Sequence, residues 1–193
     1  MTLKELLKMI RLEKIHQIAV SGPHCSGTQI GGYILAKELK TTYISEAAFG
    51  AMDFRKFCLA TAGKESFVVQ CPSLLYCAER FAPSVLIVLM NRPLEDILMS
   101  QRRVGWKDSV DRRPYDEFKV FDMNKPLAYI KYQYAEKYLA RTRRVEYLDF
   151  ESLDNHACFF SRDERRAFPA GQIAAKKDRP VIYFGRQKNA IKT

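Results

Sequence analysis

The sequence lacks an apolar run of the roughly 20 residues that a membrane-spanning helix needs. It also lacks the apolar core of a secretory signal, because charged side chains interrupt the leucines of the first 17 residues. Leu3, Leu6, Leu7 and Ile10 instead fall on one face of a short amphipathic helix, which we expect to pack on the protein core. These observations predict a cytoplasmic protein without a membrane partner.

Cysteine and histidine are too few and too scattered for a disulfide framework or a zinc site. The chain has five cysteines, an odd number, and no CxxC pair. It has only three histidines, none of which lies at ligand spacing from a cysteine. We therefore predict reduced thiols, as is usual in the cytosol, and no metal ion.

Acidic residues are outnumbered, since 32 Lys and Arg residues oppose 22 Asp and Glu residues for a net charge of +10. A positive field of this kind attracts anions in general. No recognised DNA- or RNA-binding motif accompanies the basic clusters, so an anionic cofactor or a small-molecule or anionic acceptor is the expected partner. A nucleic-acid-binding module remains an alternative, and nothing in the sequence indicates an oligomeric state.

Short apolar runs alternate with helical patterns along the chain, which we interpret as one domain spanning residues 1–193. The predicted strands are residues 15–20, 41–45, 66–70, 84–90 and 144–150. The predicted helices are residues 28–40, 51–62, 73–81, 93–103 and 125–143. This alternation is typical of an α/β fold of three layers (α/β/α), a parallel central β-sheet flanked by helices on both faces.

We make one prediction for each of three further segments. The run 85–90 has no polar face, which indicates an interior position in the sheet. The polar segment 105–115 is expected to be a mobile excursion that covers a site. Residues 181–184 are a candidate edge strand.

A glycine-containing loop connects the first predicted strand to the next helix. Between Gly22 and Gly27, backbone N–H groups and the helix N-terminus are suited to hold a phosphate, with help from the hydroxyls of Ser26 and Thr28. Loops that bind nucleoside triphosphates place a lysine after the second glycine, followed by a Ser or Thr that holds magnesium. Here these positions are Thr28 and Gln29, so we predict phosphate binding of another kind. An ordinary strand-to-helix turn is the alternative.

A second candidate anion site follows the fourth predicted strand. Arg92 stands just past its carboxyl end, where ligands collect in open α/β sheets. Ser100 lies about two helical turns further along, and the guanidinium and the hydroxyl could share a phosphate. Alternatively, Arg92 pairs with Glu95 or Asp96, and Ser100 bonds within its own helix.

The combination of Ser26-Gly27-Thr28 with Arg92 and a serine eight residues later resembles the sulfotransferases that use 3′-phosphoadenosine 5′-phosphosulfate (PAPS). The likeness covers about residues 15–106 and implies a P-loop NTPase-like fold. It implies transfer of a sulfuryl group to a hydroxyl or amine, without metal, with release of 3′,5′-adenosine bisphosphate (PAP). The cofactor-binding residues that it implies are Gly22, Cys25, Ser26, Gly27, Thr28 and Gln29 for the 5′-phosphosulfate, and Arg92 and Ser100 for the 3′-phosphate.

Two positions depart from that family. Cys25 stands where a basic residue usually contacts the transferring group, and Gln70 stands where a second basic residue is often found. The loss of both would weaken charge stabilisation in the transition state. For the general base, Glu46 is the first candidate and His24 the second. The alternatives to a sulfotransferase are a small-molecule or nucleotide kinase with a degenerate P-loop and a non-catalytic nucleotide-binding protein.

Overall fold

Five parallel strands form the centre of the computed structural model, which describes residues 1–106 and 109–159. The strands are β1 (Gln17–Ser21), β2 (Thr42–Ile44), β3 (Phe67–Gln70), β4 (Val85–Asn91) and β5 (Val145–Asp149). They are ordered β2-β3-β1-β4-β5, and all neighbouring pairs are parallel. The predicted parallel sheet is confirmed, as is the interior position of β4 between β1 and β5.

The predicted helices are also present. The α-helices are α1 (Leu3–Leu12), α2 (Thr28–Leu39), α3 (Phe54–Thr61), α4 (Leu94–Arg103), α5 (Ser109–Asp116) and α6 (Leu127–Tyr134). Short 3₁₀ segments span Glu46–Ala48, Pro72–Arg80 and Phe150–Leu153, while α6 continues through a π-helical turn, Ala135–Leu139, and a final turn, Ala140–Thr142. The helix predicted over 73–81 is the second 3₁₀ segment, and Cys77 leaves helical geometry inside it with φ −123°.

Helices cover both faces of the sheet, as the alternation of buried residues in β4 shows. Val85, Ile87 and Leu89 join a core that contains side chains of α3 and α6. Their neighbours Leu86, Val88 and Met90 join the opposite core, which contains side chains of α1 and α2. Successive strand residues point to opposite faces, so a strand buried throughout requires a layer on each side. The three-layer α/β/α architecture is thereby confirmed.

The amphipathic N-terminal helix packs on the core as predicted. Leu3, Leu6, Leu7 and Ile10 of α1 are all buried. Thr2 and Glu5 form a capping box that satisfies backbone N–H groups at the start of this helix. Among the described residues, no helix combines the length and the apolar character that crossing a membrane requires.

The segment over 105–115, expected to be a mobile excursion, is helical in the part that the structure describes from residue 109 onward. This part forms α5, and Tyr115 is only 1% exposed because its ring packs against Tyr134, with ring centroids 5.5 Å apart. Pro114 inside the helix and the polar composition concealed it in the sequence. Residues 107–108 and the candidate strand 181–184 lie outside the described residues.

The strand order places one crevice at the centre of the sheet. The chain leaves β1 toward β2 on one side, and after β3 it crosses β1 to reach β4 on the other. In open α/β sheets, ligands bind outside the carboxyl ends of the strands where the order changes direction in this way. The loop after β1 and the residue after β4 therefore meet at the expected binding edge.

Candidate anion-binding site

The loop between β1 and α2 adopts a conformation that requires glycine. Gly22 has φ +137° and Gly27, at the N-cap of α2, has φ +96°. A Cβ atom on Gly22 would lie 3.0 Å from Ser26 Oγ, so the loop closes tightly on itself. In the part of the chain that the structure describes, no side chain caps α2, and the backbone N–H groups of its first turn are directed toward the loop.

Ser26 is completely buried, and among the described residues its Oγ has no hydrogen-bond partner. A buried hydroxyl without a partner costs about 1–3 kcal/mol. Such a group beside an uncapped helix N-terminus indicates a site for an anionic ligand. Thr28, the other predicted hydroxyl, is 5% exposed and lies 3.4 Å from Gln70 Nε2, which donates to it.

Two further glycines let α2 approach the sheet closely. A Cβ atom on Gly31 would lie 2.5 Å from the sulfur of Met90, and one on Gly32 would lie 3.1 Å from the ring of Tyr43. The Tyr43 hydroxyl donates to the carbonyl oxygen of Gln29, at 3.3 Å. The N-terminus of α2 is thereby held against the carboxyl end of the sheet.

Arg92 and the loop are in direct contact. The Nη1 atom of Arg92 donates to the carbonyl oxygen of Cys25 at 2.8 Å, and the guanidinium carbon lies 4.6 Å from the centre of the Phe150 ring. The side chain is 8% exposed. Arg92, the predicted phosphate-binding arginine, thus links the end of β4 to the loop by a hydrogen bond.

Ser100 lies on the same side of the molecule as the loop. It is 2% exposed on the inner face of α4, and the next residue, Gln101, donates from Nε2 to the carbonyl oxygen of His24 at 3.0 Å. Arg92 therefore contacts the loop directly, whereas α4, which carries Ser100, contacts it through Gln101.

Glu46 and Gln70 form the opposite wall. The backbone N–H of Glu46 donates to Gln70 Oε1 at 3.0 Å, while Glu46 Oε1 accepts from the backbone N–H of Ser73 at 2.8 Å. The carboxylate thus caps the 3₁₀ segment that follows β3. Gln70, the neutral replacement for a basic residue, links this wall to Thr28 of α2.

His24 lies between three side chains. Its Nε2 is 3.2 Å from Ser73 Oγ, its Nδ1 is 3.3 Å from the Nζ of Lys131, and its ring stacks on Trp106 with centroids 4.1 Å apart. Lys131 is 1% exposed and also donates to the carbonyl oxygen of Pro72 at 3.0 Å.

Sequence reasoning missed Lys131. It is the one charged residue between Leu127 and Ala135, and it stands four residues from each, so it lies on their buried face. A lysine on an otherwise apolar helix face is rarely buried without a polar partner, which is the signal that could have identified it.

The thiol of Cys25 is not activated by its position. Burial raises the pKa of this thiol, and the nearby Arg92 opposes the rise with a smaller effect. A thiol with a raised pKa carries little thiolate at neutral pH, so it is a poor nucleophile. All five cysteines of the chain are free.

A cavity of about 490 Å³ adjoins Arg92 on the α6 side. Tyr129, Tyr132 and Tyr147 contribute aromatic surface to its lining, and Glu136 and Glu151 contribute carboxylates. Asp149 lies at the end of β5, where it accepts a hydrogen bond from Asn91 at 2.7 Å.

Comparisons with protein-family models, with curated proteins and with solved structures give no match. Among residues 1–106 and 109–159, no three His, Cys, Asp or Glu side chains lie close enough together to hold a metal ion. The donors at the edge of the sheet are instead an uncapped helix N-terminus, two buried cationic side chains and several hydroxyls. This set is chemically suited to an anion.

Proposed function

We propose that the protein binds PAPS and transfers its sulfuryl group to a hydroxyl or amine acceptor. The observation that carries the proposal is the position of Arg92, whose guanidinium touches the loop at Cys25. One ligand can therefore reach both the loop and the arginine. A nucleotide with phosphate groups at its 5′ and 3′ positions meets this requirement.

The features of the loop favour a 5′-phosphosulfate over a triphosphate as the proposed ligand. The helix N-terminus and the buried hydroxyl of Ser26 offer hydrogen bonds to one phosphate group. Thr28 occupies the position of the lysine that a nucleoside triphosphate requires. The cavity of about 490 Å³ beside Arg92 is large enough for a nucleoside, and tyrosine rings offer a surface for stacking a base.

In the proposed reaction, the acceptor oxygen or nitrogen attacks sulfur in line with the leaving phosphate oxygen. A new bond forms between the acceptor and sulfur, the bond from sulfur to the bridging oxygen breaks, and PAP leaves with its electron pair. The acceptor proton passes to a general base. Glu46 is the first candidate because its carboxylate lies at the binding edge, and His24 is the second.

Thermal unfolding with PAP, AMP or ATP-magnesium tests the binding part of the proposal. Ligand at about 100 times its Kd stabilises a one-site protein by about 2.7 kcal/mol, which raises Tm by about 5–10 °C in a domain of this size. We expect PAP to raise Tm more than AMP or ATP-magnesium does. In R92A, we expect PAP and AMP to raise Tm equally, because the contact with the 3′-phosphate is lost.

The matched control is R80A, which removes the same charge at the opposite edge of the sheet, where Arg80 lines a separate cavity with Gln17 and Val85. Equal shifts with AMP and PAP contradict the assignment of Arg92. A larger shift with ATP-magnesium that R92A leaves unchanged favours the kinase alternative. Tight binding of PAP without any sulfated product from PAPS favours a non-catalytic nucleotide-binding protein.

A further inference from the structure

The buried ammonium of Lys131 determines how the ring of His24 can be protonated. A lysine ammonium offers three N–H donors and no acceptor. Nζ of Lys131 lies 3.3 Å from His24 Nδ1, so a charged Lys131 makes that ring nitrogen the acceptor. The hydrogen of the neutral imidazole is then on Nε2.

The orientation of His24 in turn orients Ser73. Nε2 of the ring lies 3.2 Å from Ser73 Oγ, and in the tautomer with hydrogen on Nε2 the ring donates to that hydroxyl. The hydroxyl of Ser73 therefore accepts from histidine and has its own hydrogen to donate. Among the described residues, no acceptor receives that hydrogen.

The surroundings of Ser73 keep this hydroxyl in place. Its backbone N–H is held by Glu46 Oε1 at 2.8 Å, and the residue is 4% exposed. A buried hydroxyl with an unused hydrogen is costly unless a ligand or water completes it. Ser26 presents a further buried hydroxyl at the same edge of the sheet, and within the described part of the chain its Oγ has no hydrogen-bond partner.

We propose that Ser73 donates a hydrogen bond to a terminal oxygen of the transferring sulfuryl group, and that Lys131 and His24 orient and polarise it. This inference rests on the proposed function. Lys131 of α6 then supplies positive charge to the site through His24 and Ser73. This charge compensates for the neutral side chains of Cys25 and Gln70. Ser73 touches the substrate, whereas Lys131 and His24 are positioning residues.

The three side chains, Lys131, His24 and Ser73, stabilise the charge that develops at the sulfuryl oxygens, and they form no covalent bond with the substrate. Donors aimed at such charge in a site that excludes water are worth far more than in solvent. Because His24 donates through Nε2 and accepts through Nδ1, its role here is that of a donor. This leaves Glu46 as the preferred base for the acceptor proton.

The relative affinity for PAPS and PAP isolates the contact with the sulfuryl group. We expect S73A and K131M to reduce PAPS binding at least tenfold while PAP binding changes less than twofold, as measured by calorimetry. The control S84A removes a hydroxyl at the opposite edge, where Ser84 Oγ donates to Gln17, and should alter neither affinity.

The outcomes separate the two proposals. If the wild type binds neither nucleotide, the proposed function fails, and the assignment to the sulfuryl group fails with it. If the wild type binds both and S73A keeps the same ratio of affinities, only the inference about Ser73 fails.

The ¹⁵N chemical shifts of the His24 ring provide a measurement that does not depend on a ligand. We expect the tautomer with hydrogen on Nε2 in the wild type and a mixture of tautomers in K131M. A wild-type ring with its hydrogen on Nδ1 overturns the inference, because Ser73 would then donate to histidine. If K131M does not fold, the wild-type spectrum and S73A still decide the question.

Discussion

Arg92 and Cys25, 67 residues apart in the chain, are joined by a hydrogen bond of 2.8 Å from the guanidinium Nη1 to the backbone carbonyl oxygen. This bond links the end of β4 to the middle of the loop after β1. Cys25 has φ +66°, a conformation that most side chains avoid, so the bond also holds a strained residue. A guanidinium has five N–H donors, and one of them serves the loop.

Under the proposed function, this contact couples the conformation of the loop to ligand binding. A phosphate bound by Arg92 would lie beside the Cys25 carbonyl or take its place. Either arrangement changes the packing around His24, since Gln101 and Trp106 hold the same part of the loop. Ligand binding should therefore be visible at Trp106.

Trp106 is the one tryptophan in the sequence, and it provides a direct signal. Its indole stacks on the ring of His24 at 4.1 Å and is 40% exposed. We expect saturating PAP to change the intensity or wavelength of tryptophan emission in the wild type, and R92A to require a much higher concentration. Binding detected by calorimetry without any change in emission would locate the nucleotide away from this loop.

Replacing Gly22 should disable the loop. G22A forces a side chain into φ +137° and brings its Cβ within 3.0 Å of Ser26 Oγ, so we expect a loss of about 1–3 kcal/mol in unfolding free energy and at least tenfold weaker PAP binding. The control G63A imposes a positive φ where no atom lies within 4 Å. It should cost about 1–2 kcal/mol and leave binding intact. Normal PAP affinity in G22A would show that the loop does not hold the ligand.

A positive charge at Cys25 should increase turnover if the protein transfers sulfuryl groups. C25K places an ammonium beside the transferring group, and we expect at least a tenfold higher rate of product formation than in C25M, equivalent to about 1.4 kcal/mol. Lysine tolerates this backbone conformation, since Lys14 and Lys40 have φ of 54° and 52°. Equal rates in C25K and C25M would show that charge at this position does not limit the reaction.

Tyr132 should contribute stability that is lost at alkaline pH. Burial raises its pKa to about 12, and its hydroxyl donates to the carbonyl oxygen of Met90 at 2.8 Å. The unfolded pKa is near 10, so the native state holds this proton more tightly, and the contribution is complete below pH 10 and falls as pH rises toward 12.

Denaturant unfolding of the wild type and Y132F at about pH 8 and about pH 11 measures this effect. The stability advantage of the wild type should shrink by about 1.4 kcal/mol over this interval, because the other tyrosines contribute equally to both proteins. An advantage that stays constant would mean that Tyr132 titrates normally in the folded protein.

The sequence alone was sufficient for the local elements, including the glycine-containing loop after β1. Hydrophobic periodicity depends on neighbouring residues, so it predicted the five strands, the amphipathic face of α1 and the apolar run of β4. Glycines between a strand and a helix predicted the loop, because few residues adopt its backbone conformation. The helix α5 escaped this reasoning, since its burial depends on Tyr115 meeting Tyr134.

Only the tertiary structure determined which side chains meet at the loop. Lys131 contacts His24 across 107 residues, and Ser73 contacts it across 49. Periodicity assigns a residue to a face of its own helix or strand, but the order of strands and the packing of helices decide which faces come together. The chain of donors from Lys131 through His24 to Ser73 is a product of that packing, because it joins a helix, a loop and a 3₁₀ segment that share no local sequence pattern.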